Sequence, residues 1–185
     1  RREWNEGFAE IIKHACIRDA AMLPAIEQAG RGGGELVELI RRNIAIKARI
    51  VEADEHETTG LRALLNFGHT LGHAIEAAAG YGGMLHGEAI ALGLRAALYL
   101  STRLSGLSES EAARVLDLLR LYQLPLVLEK TFPPEEILRI TRMDKKFESG
   151  KIRFVLLKQL GEAFVSSEVT EAHLLKALEE LGSAL

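Results

Sequence analysis

Residues 62–73 read Arg62-Ala63-Leu64-Leu65-Asn66-Phe67-Gly68-His69-Thr70-Leu71-Gly72-His73. The polar members Arg62, Asn66, His69 and His73 are spaced by four, three and four. On a helix that spacing brings the four side chains within an arc of roughly 60°. Leu64, Phe67, Leu71 and Ile75 fall on the other side and require a core. The pattern predicts one helix over residues 61–79, closed by Gly80 and the pair Gly82-Gly83. A solvent face would carry lysines and glutamates. This one carries Arg, Asn and two histidines, which points to a cleft lined with hydrogen-bonding and metal-binding groups. Gly68 and Gly72 each cost about 1 kcal/mol inside a helix, a loss explained if they let a neighbouring element or a ligand approach closely.

Upstream, Phe8, Ile11, Ile12, Ala15 and Cys16 recur at helical spacing through residues 5–29, and Gly30-Arg31-Gly32-Gly33-Gly34 stops the pattern. Residues 35–54 form a second helical run through Leu36, Leu39, Ile40, Ile44 and Ile50. Downstream, residues 86–104 predict a long apolar helix. Residues 108–122 predict an amphipathic one, with Ser108 and Glu111 at capping-box spacing, and Pro125 breaks the helical pattern beyond it. Residues 152–157 and 163–166, either side of Gly161, predict a small hairpin, and a last helix covers residues 170–181. The expected fold is mainly α: a helical bundle with a small β-hairpin near the C-terminus, one domain over residues 1–185.

The 26 acidic and 23 basic residues leave a net charge of -3, which gives no electrostatic footprint for nucleic acid or an anionic membrane. The most apolar stretch, residues 89–100, is interrupted by Arg95 and is shorter than the ~20 residues of a membrane span. No signal segment opens the chain, and the single Cys16 reads as a core residue in a reducing, cytoplasmic setting. The opening Arg1-Arg2-Glu3-Trp4 lacks methionine, so a processed or excised piece is expected.

His69 and His73 stand at the spacing by which two imidazoles on one helix bind a single metal ion. Thr70 occupies the place of the glutamate in a HExxH peptidase, which excludes that class in its usual form. His86 follows the glycine-rich turn, and histidines together with a carboxylate commonly build a zinc site that leaves one position open. Glu10 is a candidate carboxylate. One turn from Lys13, it reads by itself more readily as a helix-surface ion pair worth tenths of a kcal/mol.

Several strings occur together: Gly7-Phe8-Ala9-Glu10-Ile11-Ile12-Lys13, Ile46-Lys47-Ala48, Asp54-Glu55, Gly60-Leu61-Arg62, Asn66-Phe67-Gly68-His69, Gly72-His73-Ala74-Ile75-Glu76, Leu85-His86-Gly87-Glu88 and Asp144-Lys145-Lys146. In this order and near these spacings, the chain resembles the C-terminal half of the 3-dehydroquinate synthase family. The resemblance implies a divalent metal, zinc or cobalt, held by Glu10, His69 and His86. It implies that His73 lies beside the metal as a catalytic group together with Lys13 and Glu57. Lys47, Arg62, Asn66, Lys145 and Lys146 would bind the substrate, a small sugar-acid phosphate. The implied reaction is the NAD-dependent conversion of 3-deoxy-arabino-heptulosonate 7-phosphate to 3-dehydroquinate and phosphate, in aromatic amino-acid biosynthesis, by a homodimer. The loop of residues 54–60 is one residue longer than the family's string, which loosens the carry-over onto Glu57.

The family's N-terminal nucleotide-binding domain is not read in these residues. Gly30 to Gly34 follow a helix and lack dinucleotide spacing, so this chain alone is expected to be inactive. The alternatives are a related sugar-phosphate cyclase, such as a 2-deoxy-scyllo-inosose or valiolone-type synthase, a metal-dependent alcohol dehydrogenase of similar architecture, and a helical module that keeps a metal site as a staple. Arg62 with Asn66 favours the first-named family over other cyclases, and Asp144-Lys145-Lys146 favours it over the dehydrogenases.

Overall fold

The computed structural model describes residues 1–80, 82–129, 131–144 and 147–183. Lys145 and Lys146 lie outside them. Within them the chain builds α1 (Arg2–Arg18), α2 (Leu23–Gly30), α3 (Leu36–Ala53), α4 (His69–Ala79), α5 (His86–Leu104), α6 (Glu109–Leu121) and α7 (Pro134–Asp144). Strands β1 (Phe147–Glu148), β2 (Lys151–Gln159) and β3 (Glu162–Thr170) precede the last helix, α8 (Glu171–Leu181).

Helix α5 is the axis. It is apolar on nearly every side, a composition that is stable only when enclosed, and thirteen of its residues are buried. Helices α1, α4, α6 and α8 and strand β2 pack around it. The strands form an antiparallel sheet in the order β1-β2-β3, with Val155 opposite Val165 and Leu157 opposite Ala163. The Ser101 hydroxyl accepts from Leu157 N (3.0 Å) while that of Ser105 donates to Leu157 O (2.7 Å), which joins α5 to β2. Arg95, which interrupts the apolar run in sequence, is buried. It donates to the carbonyls of Leu126, Glu180 and Ser183, so it caps the C-terminal end of α8 and stabilises it as a helix-end cation. Cys16 is fully buried, and burial pushes its thiol up to about 12. No described helix is long and apolar enough to cross a membrane.

The helical bundle and the hairpin are as the sequence predicts, including the Ser108–Glu111 capping box of α6. Three readings need correction. The first run divides at Asp19 into α1, a 3-10 turn (Ala20–Met22) and α2. Pro24 lacks an N–H and its ring would clash one turn back, so it sits in the first turn of a new helix instead. Helix α7 begins at Pro134 beyond the predicted break at Pro125, again with a proline where no N–H is needed.

The third correction concerns residues 61–79, which do not form one helix. Residues Arg62–Asn66 form a 3-10 turn, Phe67 turns extended (ψ 121°), and Gly68 takes a left-handed φ of 77° before α4 begins at His69. The cause is backbone-to-backbone crossing with α5. A Cβ on Gly93 would stand 1.9 Å from Gly68 O, and one on Gly68 would stand 2.9 Å from Leu94 N. Gly72 meets Ala89 O and Ile90 in the same way. These glycines admit a neighbouring helix, and the polar stripe is carried by two elements, Arg62 and Asn66 on the turn, His69 and His73 on α4.

Candidate metal centre

Glu6 and Glu10 lie one turn apart on α1, and α5 starts against them. Gly87 N donates to Glu6 Oε2 (2.7 Å), and a Cβ on Gly87 would come within 2.1 Å of Glu6 O. This contact sets His86, the first residue of α5, beside Glu10. Glu88 fixes the same helix start: its Oε2 accepts from Leu85 N (2.9 Å), and its carboxylate takes the Arg2 guanidinium at 2.6 and 2.7 Å.

Glu10 Oε2 accepts from Lys13 Nζ (2.7 Å). Glu10 Oε1 is buried without a hydrogen bond, 3.1 Å from His69 Nε2 and 3.9 Å from His86 Nε2. The His69 contact supplies no proton when the ring is neutral, because His69 Nδ1 faces Phe67 O at 3.2 Å. A carbonyl only accepts, so Nδ1 carries the hydrogen and Nε2 presents a lone pair. His86 Nδ1 lies 3.1 Å from Glu76 Oε2. The rings of His69, His73 and His86 form a triangle with centroids 5.1, 5.6 and 5.8 Å apart, and each offers a nitrogen within 4.8 Å of the others.

Burial opposes charge on Glu10, but the Lys13 ammonium beside it, joined by His69 only when that ring is protonated, outweighs burial and holds the carboxyl well below the usual carboxylate range. Burial in turn holds the Lys13 amine below its ordinary value despite Glu10, with Lys47 adding repulsion. An ionised carboxylate oxygen and two imidazole lone pairs that converge without a proton repel one another unless a cation stands between them. That donor set fits a divalent metal of the zinc or cobalt type.

Of the anion-binding candidates, Lys47 lies on α3, and Arg62 and Asn66 lie on the 3-10 turn beyond the loop that follows it. Buried Asp54 accepts from the backbone N–H groups of Arg62 (2.9 Å), Thr59 (2.9 Å) and Thr58 (2.8 Å), which hold it at about 2 and fold the loop onto itself. Arg62 Nε lies 3.1 Å from Glu57 Oε1, and its Nη1 donates to Glu55 O (3.1 Å). Glu57 is exposed and adopts a left-handed φ of 55°. Lys47 and Asn66 are exposed.

The structure thus gathers Glu10, Lys13, His69, His73 and His86 in one cluster, and Arg62 with Glu57 in a second. Sequence reasoning missed the roles of Asp54 and Glu76. Glu76 was accessible to it, because it lies one helical turn beyond His73. His14 is buried with Nδ1 2.5 Å from Asn43 Oδ1.

Known structures share this backbone. The 2-epi-5-epi-valiolone synthase of Streptomyces hygroscopicus subsp. jinggangensis, solved with NAD+ and Zn2+ bound, matches with a TM-score of 0.81 at 28% identity, over 96% of this chain and 50% of its own. A 2-deoxy-scyllo-inosose synthase complexed with carbaglucose-6-phosphate, NAD+ and Co2+ gives 0.80 over 97% of this chain and 51% of its own; at 22% identity this is a likeness of fold. The fold is that of one half of these two synthases.

The chain belongs to the 3-dehydroquinate synthase C-terminal family, which matches residues 7–147. The 3-dehydroquinate synthase of Methylacidiphilum infernorum is 42% identical over 95% of the chain and 48% of its own length. That of Nitrosospira multiformis is 43% identical over 97% and 50%. The chain therefore spans about half the length of the curated relatives it matches.

Proposed function

We propose that this chain is the metal- and substrate-binding half of a 3-dehydroquinate synthase, acting on 3-deoxy-arabino-heptulosonate 7-phosphate to give 3-dehydroquinate and phosphate. The observation that carries the reading is Glu10 Oε1, buried without a hydrogen bond between His69 Nε2 and His86 Nε2 in a chain of that family. Glu10, His69 and His86 would hold the metal. When bound, a divalent metal supplies Lewis acidity at a substrate hydroxyl, and NAD, carried by a nucleotide-binding half, supplies a reversible hydride acceptor.

The remaining side chains bind anions and move protons. Arg62 offers a planar fork suited to a carboxylate or phosphate, and Glu57 holds it until the substrate anion takes its place. Asn66 and Lys47 would add a neutral donor and a point charge, and Lys145 and Lys146, outside the described residues, would add further cations for the substrate under the same reading. Lys13 keeps Glu10 ionised and aligned. His73, against the other two histidines, is placed to pass a proton between substrate and leaving phosphate. A second reading takes His69, His73 and His86 as the ligand set, favoured by their mutual approach within 4.8 Å. Glu10 is then only the ion-pair partner of Lys13.

Binding of two ligands to the zinc-loaded chain tests the substrate. A phosphonate analogue of the heptulosonate phosphate, which carries a carboxylate, is expected to bind at least tenfold more tightly than carbaglucose-6-phosphate. Arg62→Ala is expected to remove that advantage, since one charge-assisted pair is worth about 1.5–3 kcal/mol. Equal affinities in the unsubstituted chain would point to another cyclase.

A further inference from the structure

We infer that Glu76 is the positioning residue for His86: its carboxylate fixes the tautomer and rotation of the imidazole so that Nε2 faces Glu10. The inference rests on the reading of His86 as a metal ligand.

The two histidines nearest Glu10 are held differently. The His69 side chain is 12% exposed and its Nδ1 donates to a main-chain carbonyl, Phe67 O, fixed by the break before α4. The His86 side chain is 43% exposed and stands at the first position of α5. It follows a turn with positive-φ glycines Gly80 and Gly82, so packing alone does not fix its rotation. Its Nδ1 is held by a side chain, Glu76 Oε2 at 3.1 Å. A carboxylate can only accept here, so the hydrogen sits on Nδ1 and the lone pair on Nε2, the atom 3.9 Å from Glu10 Oε1. The backbone that carries Glu76 is placed by the seating of α4 on α5 through Gly72 and Gly93. A carboxylate behind a metal-binding imidazole both orients the ring and raises its basicity.

Two measurements on one set of proteins test this: wild type, Glu76→Gln and Glu76→Ala, each checked for folding by its thermal transition. In the metal-free chain at pH 8, where an ordinary imidazole is neutral, nitrogen-detected NMR reads the His86 tautomer. The Nδ1–H form is expected in wild type and in Glu76→Gln, whose amide oxygen still accepts. A mixture with the Nε2–H form is expected in Glu76→Ala, with His69 unchanged. Cobalt affinity by calorimetry is expected to fall about 10–100-fold in Glu76→Ala and to recover most of that loss in Glu76→Gln. Wild-type affinity and tautomer in Glu76→Ala overturn the inference while leaving His86 as a ligand. A wild-type chain that binds no cobalt overturns the ligand reading and this inference with it.

Discussion

His14 shows how a single buried ring couples to pH. Burial, with repulsion from Lys13, lowers its pKa from 6.5 to about 4, although Asn43 and Glu10 oppose the shift. The folded pKa is below the unfolded one, so the unfolded chain takes up the proton first as pH falls. The stability given by neutral His14 is complete above about 6.5 and is lost as pH drops through 6.5 toward 4. The unfolding free energy from urea titrations is expected to decline over that window, by up to about 1.4 kcal/mol per pH unit, and to decline less in His14→Gln. A flat profile in both proteins would contradict the assignment. His14 also marks a limit of the sequence. Its helical spacing resembles that of any half-buried residue, and only the approach of Asn43 from α3 makes it a buried polar group.

Among the elements, the break before α4 does most for the site. It turns the Phe67 carbonyl onto His69 Nδ1 and sets Arg62 and Asn66 on a separate turn. A Cβ at Gly93 would sit inside contact distance of Gly68 O, main chain that cannot swing aside. Gly93→Ala is therefore expected to cost about 1–3 kcal/mol or more. It should also weaken metal binding by shifting His69 relative to Glu10, an outcome read from paired denaturation and metal titration. A destabilised variant with unchanged metal affinity would separate the crossing from the centre. The spacing of four, three and four fits a continuous helix as well as a broken one, so the sequence could not reveal the break. It is caused by Gly93, a residue remote along the chain. The bundle, the α6 cap and the hairpin were readable because periodicity and local caps govern them. Pro24 was readable too, but the apolar rhythm through residues 5–29 masked it. Glu10, His69 and His86 were singled out together only through the family resemblance, whereas Asp54 acts through backbone partners that only the folded loop supplies.

At the scale of the molecule, the chain gathers histidines, a carboxylate and a lysine on a helical bundle, and its described strands form only an antiparallel sheet. A dinucleotide site of the parallel βαβ kind is not built by these elements. With NAD, zinc and the heptulosonate phosphate, the 185-residue chain is expected to form no dehydroquinate; detectable turnover would contradict the division of labour proposed. The centre itself should persist without turnover, because its groups come from α5 and from α1 and α4, both of which pack on α5. Metal stoichiometry of the folded chain is the most direct test, comparing wild type with Glu10→Ala, His69→Ala, His86→Ala and His73→Ala. One ion per chain, lost in the first three variants and kept in His73→Ala, is the predicted result. Binding abolished by His73→Ala and left intact by Glu10→Ala would contradict it and assign the metal to the three histidines.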